Sequence, residues 1–131
     1  MDIREKVFAA DDIGTELVPV PEWGVEVLVR GLTLGQRNDA LTQSRGEDGA
    51  VNLSTYYALI IIATALDPAS GKPVFRDDDA ENLLAKSSNP ADNLAKKALA
   101  LSGLTEKGDV QAGVDAAGEG SSETESDVPA I

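Results

Sequence analysis

The sequence predicts a mostly helical α+β fold in which a small N-terminal β-hairpin packs on about four to five short helices. Its most apolar stretch, residues 52–66, contains neither Gly nor Pro and exceeds the usual strand length. This length favours a core helix, although three consecutive isoleucines would also suit a strand. Apolar side chains point almost all the way round this helix, so other elements must cover it on more than one side.

The hairpin is predicted from residues 16–30. Residues 16–21 contain two prolines, which restrict this segment to an extended edge strand. A turn at 22–24 follows, and three valines then alternate through residues 25–30, as in a half-buried strand. A two-stranded hairpin is unstable alone in water, so we expect it to pack on the helices.

Helices are predicted on both sides of the hairpin. Residues 2–10 place Ile3, Val7 and Ala10 on one face, which indicates a short amphipathic helix. After the hairpin, Thr33 and Gln36 match a capping box and begin a helix that runs to about Ser44.

The second half of the chain predicts two more helices after the core helix. A loop at 67–73 leads to Asp77, Asp78 and Asp79, whose charges suit the first turn of a helix. Asn89 is the expected N-cap of the last helix, with Pro90 at its first position. That helix should run to Ser102 and end in a Schellman motif, with Gly103 left-handed and Leu104 folding back.

One domain is expected over residues 1–104, followed by a disordered acidic tail over 105–131. The tail contains seven acids against Lys107 alone, four glycines and no aromatic residue. Such a segment cannot bury enough apolar surface to offset its chain entropy. It carries −6 of the net charge of −12, which leaves −6 on residues 1–104.

The charge and the missing residue types exclude several functions. Acids outnumber bases 23 to 11, which disfavours nucleic acid and anionic membranes as partners. The chain has no Cys and no His, so it lacks thiolate chemistry and the commonest general base and metal ligand. Charged residues follow Met1, so we expect no secretory signal and a cytoplasmic location.

Three groups of residues have side chains of the kind that carry chemistry. Asp67 with the three acids at 77–79 offers oxygen ligands, but the EF-hand spacing is absent, and turn and capping roles are favoured. Glu22 and Glu26 lie in no catalytic spacing. The glycines at 31 and 35 lack the Lys and the spacing of a phosphate loop. We therefore predict no catalytic residue, no metal and no cofactor.

Aromatic residues are the most informative single side chains. Trp23, the sole Trp, either anchors the hairpin to the helices or stands out as a contact point. Tyr56 and Tyr57 are adjacent on the core helix, so one of them is expected to carry its hydroxyl to the surface.

The order of these pieces resembles the small tail assembly chaperones of long-tailed, siphovirus-like phages and related prophages. In the first half the resemblance rests on residues 4–13, on Val-Pro-Glu-Trp-Gly-Val at 20–25, and on residues 29–33. In the second half it rests on the loop at 67–75, the acids at 77–79 and residues 99–104. It covers about residues 3–104, and its specificity lies in order and spacing.

The resemblance implies a non-enzymatic role in the host cytoplasm. Members of this family hold the tape measure protein soluble and recruit major tail tube subunits around it, without remaining in the virion. The resemblance also implies self-association, and a longer form produced by translational frameshifting. Two rival classes stay open. A structural virion protein, such as a tail tube or connector subunit, would need more strand than one hairpin, and an enzyme would need a pocket with a nucleophile or base.

A chaperone of this kind needs exposed apolar surface bordered by acids. The candidate contact residues for a protein partner are Trp23, Glu22, Tyr57 and Phe75.

Overall fold

The structure is a computed structural model that describes residues 2–104. These residues form a mostly helical α+β fold, as predicted, with five α-helices, a three-stranded sheet and one turn of 3₁₀ helix. The predicted tail at 105–131 lies outside the described residues. In chain order the elements are α1 (Ile3–Ala9), β1 (Thr15–Val20), the 3₁₀ turn (Pro21–Trp23), β2 (Val25–Arg30), α2 (Leu34–Ser44), α3 (Leu53–Thr64), β3 (Ala65–Leu66), α4 (Ala80–Leu84) and α5 (Ser88–Leu101).

The sheet is antiparallel, with the strand order β1-β2-β3. Thr15 lies opposite Arg30 and Val20 opposite Val25, so β1 and β2 form the predicted hairpin, and β1 is the edge strand that its prolines predict. The third strand was not predicted. The core helix ends at Thr64, two residues before the expected end, because Ala65 and Leu66 instead pair with the free edge of β2 and satisfy its backbone groups.

Helix α3 lies at the centre of the molecule, and α2, α4 and α5 pack around it. Tyr56 and Tyr57 are 0% and 7% exposed, so the prediction that one of them carries its hydroxyl to the surface is wrong. The covering helices close over both rings because α3 is apolar on nearly all sides. The sheet adds Val20, Val27 and Val29 to this core.

Local capping signals are mostly confirmed. The Thr33 hydroxyl accepts a hydrogen bond from the Gln36 backbone N–H at 3.1 Å, and Gln36 Oε1 accepts one from the Thr33 N–H at 3.0 Å. Helix α5 ends in the predicted Schellman motif, where Gly103 has a φ of +76° and the Leu104 N–H donates to the Leu99 carbonyl at 2.8 Å.

The beginning of α5 differs from the prediction. Its N-cap is Ser87, so Asn89 lies within the first turn and does not cap the helix. The Asn89 side chain instead donates to Glu22 Oε2 at 3.2 Å, which ties the helix to the turn of the hairpin. Pro90 is still tolerated, because amides in the first turn have no acceptor within the helix.

Helix α1 forms as predicted, and a capping box between Asp2 and Glu5 closes its first turn. Its apolar face remains uncovered, however. Ile3 is 80% exposed, Val7 59% and Phe8 75%. Ala10 lies just beyond the helix in an extended conformation.

Candidate functional site

An apolar groove opens where the turn of the hairpin meets α4. Its volume is about 210 Å³, and its walls are Trp23, Phe75 and four residues within or next to α4. Asp79 is the N-cap of α4, Asn82 and Leu83 lie within the helix, and Lys86 lies two residues beyond its end. We call this feature the Trp23 groove.

Trp23 is positioned by the tight turn between β1 and β2. Pro21 begins the 3₁₀ turn, and the Gly24 N–H donates to the Pro21 carbonyl at 3.1 Å. Gly24 has a φ of +66°, which a residue without a Cβ adopts at little cost. This turn holds Trp23 half-buried against the core, with part of its ring in the groove.

Phe75 is positioned by the loop that follows β3. The Asp67 N–H donates to the Lys72 carbonyl at 2.8 Å, and the Val74 N–H donates to the Ala65 carbonyl at 3.0 Å. These bonds fold the loop back along β3 and bring Phe75 to the groove. Phe75 is half-buried, whereas its neighbour Val74 is 45% exposed.

The third wall is set by helical spacing. Asn82 and Leu83 lie three and four positions after the N-cap Asp79, which places the three on one side of α4, and the bend after the helix brings Lys86 to the same groove. Leu83 is 3% exposed and joins the groove to the core. Asp79 and Lys86 put opposite charges at the two ends of this wall.

The Asp79 carboxylate is held in its ionised form. The backbone N–H of Arg76 donates to Asp79 Oδ2 at 2.8 Å, and Asn82 Nδ2 donates to Asp79 Oδ1 at 3.2 Å. The hydrogen bond from Arg76, then that from Asn82, and to a lesser degree the Arg76 charge, lower the pKa of Asp79, against a small opposing effect of desolvation. The groove therefore keeps a negative charge at its rim at neutral pH.

Three of the four predicted contact residues lie at or next to this groove. Trp23 and Phe75 line it, and Glu22 precedes Trp23 and is oriented by Asn89. Tyr57 lies in the core with 7% of its surface exposed. Its role in partner contact, like that of the other three, stays a prediction.

Sequence reasoning missed Asn82 and Lys86. The spacing from Asp79 to Leu83 was readable as one helical face, but only the folded loop brings Phe75 and the distant Trp23 to that face. Asp67 has the turn role that the sequence favours over a role as a metal ligand. Its side chain accepts a hydrogen bond from the Ala69 N–H at 2.8 Å and so begins a turn.

Neither a metal cluster nor a membrane span is found within residues 2–104. No group of three or more acidic side chains there is arranged to hold a metal ion. In the same residues, every helix is too short or too polar to cross a bilayer.

Comparison with known proteins decides the family. The sequence model of the phage tail assembly chaperone matches residues 4–119. The chain belongs to the phage tail assembly chaperone family. Membership of this family implies a non-enzymatic role in assembly, which agrees with the resemblance found in the sequence. None of the curated proteins matches the chain significantly.

A solved structure shares the fold of this tail assembly chaperone. It is the tail assembly chaperone of bacteriophage HK97, with 23% sequence identity and a TM-score of 0.53. The alignment covers 75% of this chain and 91% of the HK97 chain. At this identity the likeness shows a shared fold and nothing further.

Proposed function

We propose that this chaperone binds the tape measure protein, keeps it soluble and helps recruit major tail tube subunits around it. It acts in the host cytoplasm without catalysis and is absent from the mature virion. The observation that carries this proposal is the Trp23 groove, an apolar surface with a charged rim on a member of an assembly chaperone family.

The groove suits a helical partner. Amphipathic helices bind other proteins by laying apolar side chains into grooves of this kind, at positions three or four residues apart. Aromatic walls supply much of the free energy of such contacts, because a buried Trp or Phe removes about 150 to 250 Å² from water. A long, largely helical tape measure protein would present many such side chains and would associate with itself if they were left uncovered.

Charge tunes this interaction and does not drive it. Residues 1–104 carry a net charge of −6, from 16 acids and 10 bases, so a complex stays dispersed and is repelled by DNA. The contact itself rests on apolar burial, which salt does not screen. Binding should therefore survive moderate salt.

The remaining partners follow from the same role. The major tail tube protein and further copies of this chain are the proposed partners besides the tape measure protein, whereas nucleic acid and membranes are not.

The rival proposal is a structural virion protein, such as a tail tube or connector subunit. Mass spectrometry of purified particles separates the two, because a chaperone is absent from the finished virion.

Co-expression tests the proposed activity. The tape measure protein of the same phage should be recovered in a larger soluble fraction with this chain than without it, and the two should co-elute on size exclusion. Trp23→Ala should weaken the complex, provided that circular dichroism shows an unchanged fold. Leu34→Ser is the matched control, because Leu34 is 74% exposed and lies outside the groove.

The co-expression experiment can also contradict the proposal. If the tape measure protein is as insoluble with the chain as without it, and no complex elutes at low or moderate salt, the chaperone proposal fails. Recovery of this chain in stoichiometric amounts from purified virions would favour the structural rival instead.

A further inference from the structure

The sheet is open along β1. The strand order β1-β2-β3 puts β1 at one side of the sheet, and most of its residues are exposed. At the other side, the loop after β3 folds back along that strand, and the Val74 N–H donates to the Ala65 carbonyl at 3.0 Å. A strand at the side of a sheet presents a row of backbone groups that can pair with another chain. Within residues 2–104, β1 is the strand that presents such a row.

The register identifies which groups of β1 point away from the sheet. The Gly31 N–H donates to the Gly14 carbonyl at 2.9 Å, and these two residues continue the register of the hairpin. In an antiparallel pair, residues bonded to the partner strand alternate with residues whose backbone groups point the opposite way. The N–H and C=O of Thr15 and Leu17 and the C=O of Pro19 therefore point outward, without a hydrogen-bond partner within residues 2–104. We call this row of backbone groups the β1 edge.

Pro19 limits the length of the β1 edge. A proline is tolerated in a sheet where its missing N–H would face away from the neighbouring strand, and Pro19 occupies such a position. Because Pro19 offers an acceptor and no donor, it interrupts any long pairing along β1. The edge is thus suited to a short extended segment centred on Leu17 and not to a long contact between whole sheets.

An apolar row on the outer face of the sheet ends at the β1 edge. Leu17 lies opposite Leu28, and Leu28 lies opposite Leu66, so the three side chains stand side by side across all three strands. They lie on the face away from the core, because Val27 and Val29, which alternate with Leu28, are buried. Leu17 remains 47% exposed, whereas a protected edge often carries a charged side chain. We call these three side chains the leucine row.

The charges near β1 indicate the kind of segment that can pair with it. Residues 11–19 contain three acids and no base. Glu16 lies on the opposite face of β1 from Leu17, and its side chain is 49% exposed although Lys97 pairs with it at 3.0 Å. A strand that alternates apolar and basic residues would extend the leucine row on one face and place positive charge near Glu16 on the other. The acidic residues 105–131 of the chain itself do not fit this pattern.

We propose that the β1 edge binds an extended segment of a partner protein in which apolar residues alternate with basic ones. The segment pairs antiparallel with β1 and adds a fourth strand to the sheet, and its central apolar residue exchanges two backbone hydrogen bonds with Leu17. None of residues 15–19 lines the Trp23 groove. The proposal therefore goes beyond the proposed function, and it holds whether or not the tape measure protein binds in the groove.

A titration with a model peptide tests this pairing. The probe is acetyl-Lys-Val-Lys-Val-Lys-amide, added to the isotope-labelled full chain, and NMR follows each backbone amide. The amide signals of Thr15 and Leu17 should shift, and their exchange with solvent should slow, because these N–H groups become donors. The Val18 amide faces β2 and should change less. The same peptide with both valines N-methylated should bind at least about tenfold more weakly, because it lacks the donors that pair with the edge.

Substitutions at Leu17 test the role of its outward N–H. Leu17→Pro removes this donor, and the fold should tolerate it as it tolerates Pro19, because the lost N–H makes no bond within the sheet. Leu17→Thr is the matched control, since it also removes the apolar side chain but keeps the N–H. The peptide should bind at least about tenfold more weakly to Leu17→Pro than to Leu17→Thr. Circular dichroism checks that both variants fold, and the N-methylated peptide decides the question if Leu17→Pro does not.

Several results would overturn the proposal. The first is the absence of any shift at millimolar peptide, and the second is equal binding of the natural and N-methylated peptides. The third is slow exchange of the Leu17 amide in the free chain, which would show that the edge is already occupied. If that protection increases with protein concentration, the occupant is a second copy. If it is lost on removal of residues 105–131, the occupant is the C-terminal segment of the chain itself.

Discussion

Asp79 shows how one side chain can serve both the local fold and the surface. Its two carboxylate oxygens accept from the Arg76 backbone and from Asn82, which joins the loop after β3 to α4. The same carboxylate borders the Trp23 groove. Because these hydrogen bonds favour the ionised form, they lower the pKa of Asp79, and the stability of this corner depends on pH.

Asp79→Asn is predicted to remove this pH dependence. The folded-state pKa is below the unfolded value, so the ionised carboxylate stabilises the fold above about pH 4, and this contribution is lost as the pH falls through the lowered pKa. The variant should have a lower urea midpoint than the natural chain at pH 7, and the difference should shrink at pH 3. Asp78→Asn removes the same charge from a neighbouring side chain that is 85% exposed, and it is the matched control.

Ile61→Asp is predicted to unfold the domain. Ile61 is 1% exposed at the centre of α3, where a carboxylate would be buried without a partner. The desolvation cost of several kcal/mol is comparable to a total stability of about 5 to 15 kcal/mol. Ser54→Asp is the control in the same helix, because this exposed first-turn position favours an acid. A native circular dichroism spectrum and unchanged melting of Ile61→Asp would show that α3 is not buried.

At the scale of elements, the fold depends on a close approach between the end of β2 and the end of α5. The Leu32 N–H donates to Ser102 Oγ at 2.8 Å, and the Ser102 hydroxyl donates to the Ala98 carbonyl at 2.7 Å. A Cβ added to Gly31 would lie 3.1 Å from the Leu101 carbonyl oxygen. The glycine is therefore required by the neighbouring backbone, which these hydrogen bonds hold in place.

Two glycine substitutions are predicted to act in opposite directions. Gly31→Ala should lower the free energy of unfolding by about 1 to 3 kcal/mol, because backbone must move to admit the methyl group. Gly35→Ala should raise it by about 0.5 to 1 kcal/mol, because Gly35 lies in α2 and its nearest neighbour would be 4.0 Å away. Urea unfolding of both variants measures the difference, and equal effects would contradict it.

The features that were predictable from sequence are those that depend on near neighbours in the chain. The capping box at Thr33, the Schellman end at Gly103 and the edge position of β1 follow from local chemistry, and all were confirmed. The strand β3 and the start of α5 were missed because distant partners decide them. Ala65 pairs with Val29 in the sheet and does not continue the helix. The Asn89 side chain donates a hydrogen bond to Glu22 and does not cap α5.

The same distinction applies to the candidate site. The sequence predicts Trp23 and Phe75 as contact residues for a protein partner. It does not show that they lie together, because the 51 residues between them must fold back to form the groove. It also could not show that α1 stays uncovered. An amphipathic pattern predicts a helix with an apolar face, and it does not reveal whether that face meets the chain's own core or another molecule.

At the scale of the whole molecule, the described residues share one hydrophobic core. The buried apolar residues there extend from Val20 to Leu99. The Leu104 N–H donates a hydrogen bond to the Leu99 carbonyl. Residues 105–131 contribute about half of the net charge, −6 of −12. The family match continues to residue 119, so it includes part of this acidic segment.

Removal of residues 105–131 is predicted to halve the net charge and to leave the stability nearly unchanged. The melting temperature should change by no more than about 2 °C, which corresponds to less than about 0.5 kcal/mol for a domain of this size. The truncated chain keeps the exposed apolar side chains of α1 and the Trp23 groove but only −6 of its charge, so mutual repulsion between copies is weaker. Light scattering at low ionic strength should therefore show association at lower concentration than for the full chain, and added salt should reduce the difference. A cooperative loss of stability on truncation would show instead that residues beyond Leu104 pack on the body.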